Sequence, residues 1–349
     1  MASADSVELP DERLKQITSN FDELFSVLNN VESDKMEDKK LEPKLLKSKK
    51  ENNKPKDHDS RSKSRSHKKT RKKESSAQRI ASLSSTSQRT GKKLTTDIEK
   101  QSFKRWTREF MWQELEDNDA TLDNYPRPTF GKNPNFKSSG KAAQRLAQLQ
   151  EFHKAKVIKV GSAMSVMPFR KIVLQSKELI YSNIKDLKQY DFIYCILSKD
   201  LKSPQDVRIA STKKGLIKYG TPMRVGFKSS IKKIDMMVVP SVVVSTNGVR
   251  IGTGKGLEDL EWGMLFDIGA VTEDTVVVTI VADEQVVTNE FLPLDARCSH
   301  DLPVNIICTP SRILRANPKI IKPTCGINPT LLNEKLLEEH PALQNFNFS

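Results

Sequence analysis

The stretch best suited to chemistry lies inside DMMVVPSVVVSTNGVRIGTGKGLEDLEWGMLFDIGAV, residues 235–271, at Gly252-Thr253-Gly254-Lys255-Gly256. Glycines at alternate positions let backbone N–H groups approach an anion with no Cβ in the way. A helix beginning just after them adds the positive end of its dipole. Arg250 and Lys255 are spaced to complete a phosphate cradle. The spacing is neither that of a P-loop, which has four residues between its glycines, nor that of a dinucleotide fingerprint. A tight strand-to-helix turn with no ligand explains the same glycines.

Other chemistry-bearing side chains are sparse. His153, His300 and His340 lie in the ordered part of the sequence, and none is spaced with a second metal ligand. The cysteines Cys195, Cys298, Cys308 and Cys325 are too dispersed for a disulfide framework, and no CxxC pair is present. The expectation is a reduced, intracellular chain, and Cys308, at a strand end, is either a candidate site residue or small core filler. Asp283 and Glu284 follow the run TVVVTIVA and would point toward a site from a strand end or lie in a solvated loop.

The elements that must position the glycine loop are legible from periodicity. The pattern from Asp97 to Glu116 reads as a helix with Ile98, Phe103, Trp106, Phe110 and Leu115 suited to burial, and it sets Lys104 and Arg108 four apart on one face. A second helix is expected from Gly140 to Phe152. The runs KVIKV, RKIVLQS, DFIYCIL, DMMVVPSVVVS, TVVVTIVA and VNIICTP are rich in Val and Ile with little polar alternation, as strands covered on both faces are. A helix from Leu257 to Ala270 between them gives an α/β order with a largely parallel sheet and flanking helices. The stretch Leu331 to Leu343 reads as a peripheral helix without chemistry.

Charge divides the chain differently. The protein has 349 residues and a net charge of +14. Residues 1–35 hold 3 basic and 8 acidic side chains, residues 36–94 hold 20 and 7, and residues 95–349 hold 35 and 29, so nearly all the excess sits in the middle segment. That segment has too few apolar residues to offset the entropy of ordering and is expected to be a disordered basic tail. Arg61, Lys63, Arg65, Lys68, Lys69, Arg71, Lys72 and Lys73 make it a polycation suited to salt-sensitive, sequence-independent RNA or DNA binding. Serines between Ser60 and Ser66 offer phosphorylation sites that would cancel this charge. A solvated linker, or a nuclear import signal from His67 to Lys73, accounts for the same run. No aromatic residue is present there for base stacking. Before the tail, Leu14, Ile17, Phe21, Leu24, Phe25, Leu28 and Val31 form one amphipathic face, suited to a protein partner's groove or to docking on the chain's own domain. No signal-peptide core or membrane-length apolar run is visible, so no membrane contact is expected. The fold points to the cytoplasm and the tail permits the nucleus.

The stretch from Asp235 to Pro240 followed by Arg250, Ile251, Gly252, Gly254, Gly256 and Asp259 resembles the 5-formyltetrahydrofolate cyclo-ligase family, whose strand D-L-I-h-x-P precedes R-L-G-x-G-x-G-Y-Y-D. Lys104 and Arg108 are similar to that family's K-x-x-x-R helix. The segments MWQELEDND, YPRP, PNFK, RKIVLQSK, EWGMLFDIGAV, VVVTIVAD and CTPSRIL are most similar to its methenyltetrahydrofolate synthase domain-containing branch. The resemblance covers residues 97–325. It implies a NagB/RpiA/CoA-transferase-like α/β fold over residues 95–325, with residues 326–349 as a C-terminal extension.

Members of that family use Mg-ATP to phosphorylate the formyl oxygen of a reduced folate, whose N10 then closes the ring to 5,10-methenyltetrahydrofolate. By resemblance Lys104, Arg108, Arg250, Gly252, Gly254, Lys255 and Gly256 would hold nucleotide phosphates and Asp259 would approach magnesium. In the branch, the domain is often joined to an RNA-recognition module, and none is visible here. The family's loop tyrosines are replaced by Leu257 and Glu258, its basic residue between the first two glycines by Thr253, and a late-strand aspartate by Asn305. Where relatives carry a P-x-P-R-L-like segment this chain has YSNIKDLKQYDF. Together these departures favour a degenerate domain acting as a nucleotide-binding or interaction scaffold. The kept glycines, Arg250, Lys255 and Asp259 permit the alternative, an active ligase.

Overall fold

The computed structural model describes residues 93–122, 128–182, 193–223, 231–316, 320–332, 334–339 and 343. The chain divides into two units, Met1–Lys69 and Thr70–Ser349, and all described residues belong to the second. The expected amphipathic helix of residues 14–31 and the eight basic residues from Arg61 to Lys73 lie outside the described residues.

Short runs of Val, Ile and Met become strands because both of their faces are covered. The parallel core consists of β1 (Val157–Val160), β2 (Glu178–Ser182), β5 (Met236–Val239), β8 (Val276–Ile280) and β10 (Ile306–Cys308). On one side β3 (Ile193–Leu197) and β4 (Thr221–Met223) are added antiparallel, and on the other β11 (Ile313–Arg315) is. The resulting order is β11-β10-β8-β5-β1-β2-β3-β4, an eight-stranded, largely parallel sheet. A second sheet of three short strands, β6 (Val243–Ser245), β7 (Arg250–Ile251) and β9 (Val286–Val287), has the order β7-β6-β9.

Strand residues alternate between two apolar clusters, as the period of a strand requires. Ile158, Val160, Met236, Val238, Val278 and Ile280 join the cluster that buries Met111, Leu115, Ala142, Leu146 and Phe169. Those residues come from α1 (Asp97–Asp117), α2 (Ser139–Ala147) and α4 (Met167–Val173), with the short α3 (Gln150–Lys154) beside them. Val157, Met237, Val239 and Val277 join the other cluster, which contains Trp262, Met264 and Leu265. The latter belong to α7 (Leu257–Asp267), numbered after the small helices α5 (Pro204–Ala210) and α6 (Lys213–Tyr219). Ile327 and Leu343 are buried in the same cluster, and α8 (Glu334–Glu339) lies between them in sequence, so residues beyond 325 pack into this unit.

The expectations differ from the structure at four places. Ile98 is exposed at the start of α1, and only Phe103, Trp106, Phe110 and Leu115 of the expected set pack on the core. RKIVLQS is helical: Pro168 occupies the first turn of α4, where its missing N–H is tolerated, and Phe169, Arg170 and Val173 bury one helical face. The run DMMVVPSVVVS is two strands in two sheets, because Pro240 has no N–H with which to continue a central ladder. The helix expected over residues 140–152 is interrupted where Leu149 adopts an extended backbone.

Lys159 stands on the face of β1 that meets α7 and is fully buried, as is its ion-pair partner Glu261 on α7. Removing one partner of a buried pair leaves an uncompensated charge. Glu261→Gln should therefore lower the unfolding free energy by roughly 3–5 kcal/mol, with the double change Lys159→Met/Glu261→Leu less damaging than the single one. Urea unfolding of the three proteins checks this, and an unchanged midpoint for Glu261→Gln would show that the pair does not hold α7 to the sheet.

Candidate functional site

The glycine loop is delivered by the β6–β7 hairpin. Its turn needs a left-handed residue at Gly248, φ +92°, and a Cβ there would stand 2.3 Å from the Val304 carbonyl oxygen. Gly248 N–H donates to Ser245 O at 2.9 Å and Gly248 O accepts from Val304 N–H at 3.0 Å. β7 then presents Arg250, whose side chain is buried. Its Nε donates to Leu302 O at 3.2 Å, its Nη1 to Pro240 O at 3.2 Å and its Nη2 to Asp259 Oδ1 at 2.8 Å. Burial works against the guanidinium charge, but Asp259, Glu258 and Asp301 outweigh it and hold its pKa above the ordinary arginine value.

The location is the carboxyl edge of the sheet, beside the point where the order of successive strands reverses. β1 is followed outward by β2 on one side, while the chain returns to lay β5 on its other side. Pro240 ends β5 there, and Gly161 ends β1 so close to it that a Cβ would meet Pro240 Cδ at 2.9 Å.

Beyond Arg250 the loop is left-handed at Gly254, φ +89°, and at Gly256, φ +63°, which is the N-cap of α7. No side chain caps this helix. Arg108 lies against the loop: a Cβ on Gly254 would fall 3.0 Å from its Cζ and Nη2 and 3.2 Å from its Nε. A side chain at this position would crowd the guanidinium and would have to take a left-handed backbone that non-glycine residues rarely adopt. Burial lowers the Arg108 pKa, with Glu109 and Asp301 opposing, and no ion pair or hydrogen bond neutralises it among the described residues. Lys255 is exposed on the loop and equally without a partner.

Lys104 is placed differently. Its buried Nζ forms an ion pair with Asp301 and donates to Cys298 Sγ at 3.3 Å. Cys298, His300 and Asp301 bring potential metal-ligand atoms within 4.8 Å of one another, but the Lys104 ammonium already supplies a cation to two of them. Asp259 faces Arg250 and also accepts from Leu302 N–H at 2.9 Å, so its Oδ1 is held on two sides. Leu257 is buried in the core behind α7, whereas half-buried Glu258 has its Oε2 3.6 Å from the place a Gly252 Cβ would take. Burial raises the Glu258 pKa, Arg250 opposes this and Asp259 adds to it. Asn305 works within the sheet, its Oδ1 accepting from Val277 N–H at 2.9 Å at the start of β10. Asp283 accepts from the hydroxyls of Thr309 and Ser311, each at 2.5 Å, and so staples a turn.

A cleft of ≈ 260 Å³ opens beside the loop, with Lys255, Gly256, Gln101, His300 and Asn328 among its lining. Trp262, Leu331 and Leu332 supply apolar walls, and Trp262 Nε1 donates to Pro323 O at 2.9 Å. Sequence reasoning did not single out Gln101 or Asn328 and took His300 as isolated. The available signal was its adjacency to Cys298 and Asp301, which is meaningful only once Lys104 is brought to them from almost two hundred residues away.

Residues 104–310 match the 5-formyltetrahydrofolate cyclo-ligase family. The chain belongs to that family. It is 36% identical over 243 residues to the mouse methenyltetrahydrofolate synthase domain-containing protein, covering 69% of this chain and 62% of the relative. The human protein of that name is 34% identical over 239 residues, covering 68% of this chain and 60% of the relative. The chain thus spans about three fifths of the length of these relatives. The solved structure of Aquifex aeolicus 5,10-methenyltetrahydrofolate synthetase is similar at 21% identity and a TM-score of 0.38, covering 61% of this chain and 94% of that one. The glycine loop, Arg108 and the His300 cluster fall inside the cyclo-ligase match, whereas the wall formed by Asn328, Leu331 and Leu332 falls outside it. Among the described residues no helix is long and apolar enough to cross a membrane.

The thiols test this packing. Cys195, Cys298 and Cys308 are buried and Cys325 is exposed. Burial pushes Cys195 and Cys308 up to about 12 and raises Cys298 as well. Ellman's reagent at about pH 8 should titrate one thiol rapidly and the others only on unfolding, and Cys325→Ser should remove the fast phase. A second fast thiol in the folded protein would contradict the buried position of Cys298.

Proposed function

We propose that this chain is a degenerate cyclo-ligase domain that binds nucleotide phosphates weakly at the glycine loop as a scaffold, and that its basic segment, residues 36–94, carries RNA. The observation that carries the reading is the internal pairing of Lys104 with Asp301 and of Arg250 with Asp259. Phosphoryl transfer needs unpaired positive charge around the transferred group and a carboxylate-held magnesium ion. Two of the four basic side chains expected to meet phosphate already have carboxylate partners, and the carboxylate expected to meet magnesium has a guanidinium.

The phosphate end of a nucleotide still fits. Arg108 and Lys255 are unpaired among the described residues, and the first turn of α7 has no side-chain cap. Gly254 and Gly256 supply the backbone geometry of an anion cradle. Magnesium would enter with the nucleotide, held by its phosphates. ATP, when bound, would bring the phosphoryl group that the family's reaction transfers. Against strong binding stand Glu258 and Asp259, which place carboxylates in the first turn of α7 and satisfy its dipole from within. Leu257 turns into the core and offers no aromatic surface for a pterin.

Isothermal titration of the full chain with Mg-ATP tests the cradle. Arg108→Ala or Lys255→Ala should each weaken binding about tenfold, or about 1.4 kcal/mol. With 5-formyltetrahydrofolate added, no absorbance of the methenyl product should develop even at high protein concentration. Product formation that is lost in Lys255→Ala would overturn the degenerate reading in favour of an active ligase. Glu258 adds a pH dependence. Because its pKa is raised, it gains a proton as pH falls through that value and ceases to repel phosphate. Affinity for ATP should thus rise more steeply toward acid pH in the parent than in Glu258→Gln. Parallel pH profiles would remove Glu258 from the phosphate's surroundings.

A further inference from the structure

At the opposite edge of the sheet, where the parallel strands begin, two grooves adjoin. One, of ≈ 380 Å³, includes Lys156, Lys177, Lys199 and Lys232 in its lining, and the other, of ≈ 470 Å³, includes Lys171, Lys202 and Arg208. They share Ser198, the first residue of a 3₁₀ turn, Ser198–Asp200, that follows β3. Lys156 immediately precedes β1 and Lys177 immediately precedes β2, so these cations stand at the amino-terminal edge and the glycine loop stands at the other.

Most of this charge is uncompensated. Lys156, Lys171, Lys199, Lys202 and Arg208 make no ion pair or side-chain hydrogen bond among the described residues. Lys177 donates to His153 O at 3.0 Å with its ammonium over the Phe152 ring, and Lys232 pairs with Glu178 at 2.7 Å. The acidic groups nearby are Glu178, already paired, Asp206, which accepts from Ser203 and Tyr219, Asp235, which accepts from the backbone N–H groups of Lys156 and Val157, and Asp200 on the turn. The first groove contains no acid other than Glu178 and the second contains none.

We infer that this edge is a binding face for the phosphodiester backbone of single-stranded RNA, built on the folded domain and separate from the basic tail. A concave surface with free cations on several segments suits a chain of regularly spaced phosphates better than one compact anion. Neither groove is lined by an aromatic residue, so the contact is with backbone and not with stacked bases, and binding is insensitive to sequence. Lys171 and Arg208 stand on helices, Lys199 stands on the 3₁₀ turn, and Lys156 and Lys177 immediately precede strands, so less backbone entropy is lost on binding than when a disordered segment folds onto a ligand.

The test uses the full chain and a fluorescein-labelled, mixed-sequence single-stranded RNA of about twelve nucleotides, read by anisotropy across a salt series. One variant brings residues 36–94 to zero net charge by changing Lys49, Lys50, Lys54, Lys56, Arg61, Lys63, Arg65, Lys68, Lys69, Arg71, Lys72, Lys73 and Arg79 to Gln. A second adds Lys156→Gln, Lys171→Gln, Lys199→Gln, Lys202→Gln and Arg208→Gln, and a third keeps the charge of the lysine positions as Arg. The tail-neutral chain should retain salt-sensitive binding, and the groove-neutral chain should lose about three units of slope in log K against log salt. The charge-conserving variant should keep the slope. The five side chains have no partners to lose, so thermal unfolding should not move, and ATP binding at the other edge should be unaltered. An unchanged slope on neutralising the groove, complete loss of binding on neutralising the tail alone, or equal competition by polyglutamate of matched length would each overturn the assignment.

Discussion

Arg250 holds the candidate site together. Its guanidinium reaches the carbonyl that ends β5, the Leu302 carbonyl before β10 and the Asp259 carboxylate in the first turn of α7. Four separate segments are therefore fixed by one side chain at the carboxyl edge of the sheet. A charge this deeply buried is tolerable only with its donors satisfied and its charge matched, and Asp259 together with the nearby Glu258 and Asp301 supplies that match. The constraint also has a chemical consequence. A guanidinium that anchors the loop from behind is not available in front of it, and the carboxylate that neutralises it is not available to a metal ion.

The same logic separates the cations of the folded unit into two groups. Lys104, Lys159 and Arg250 are buried with carboxylate partners, and Arg170 is buried with its donors on the carbonyls of Gly161, Ala163 and Ser211. Burial draws the Arg170 pKa down to about 10 against the opposing influence of Tyr181. Arg108 and Lys255 at one edge, and Lys156, Lys171, Lys199, Lys202 and Arg208 at the other, remain unpaired among the described residues. Net charge says nothing of this division. The +14 of the whole chain is concentrated in residues 36–94, yet the charges that matter to the folded unit are the few without partners.

The fold was legible wherever local pattern and tertiary burial agreed. The runs KVIKV, DFIYCIL, TVVVTIVA and VNIICTP became strands because β-branched residues on both faces leave no polar side for water. RKIVLQS has a similar composition and became a helix, since Pro168 sets a helical first turn and the run buries only one face. Apolar content alone does not separate these outcomes in a short run. The glycine motif was legible for a firmer reason: left-handed backbone at Gly254 and Gly256 is nearly a property of glycine itself. Which charge each cation would meet was not legible, because Lys104 and Asp301 are far apart in sequence and are joined only by packing.

Leu257 and Glu258 stand where the family resemblance implies an aromatic pair, and the loop's shape does not depend on either of them. Backbone geometry depends on the glycines and on Arg250, neither of which the replacement touches. Leu257 adds its apolar surface to the core behind α7 and presents none to the loop. Glu258 lies beside Gly252 and within the field of Arg250, so its carboxylate competes with any incoming phosphate for the positive end of the helix. A loop of this kind keeps the left-handed backbone of Gly254 and Gly256 and places its own carboxylates in the first turn of the helix, which is the physical content of the proposed degenerate reading.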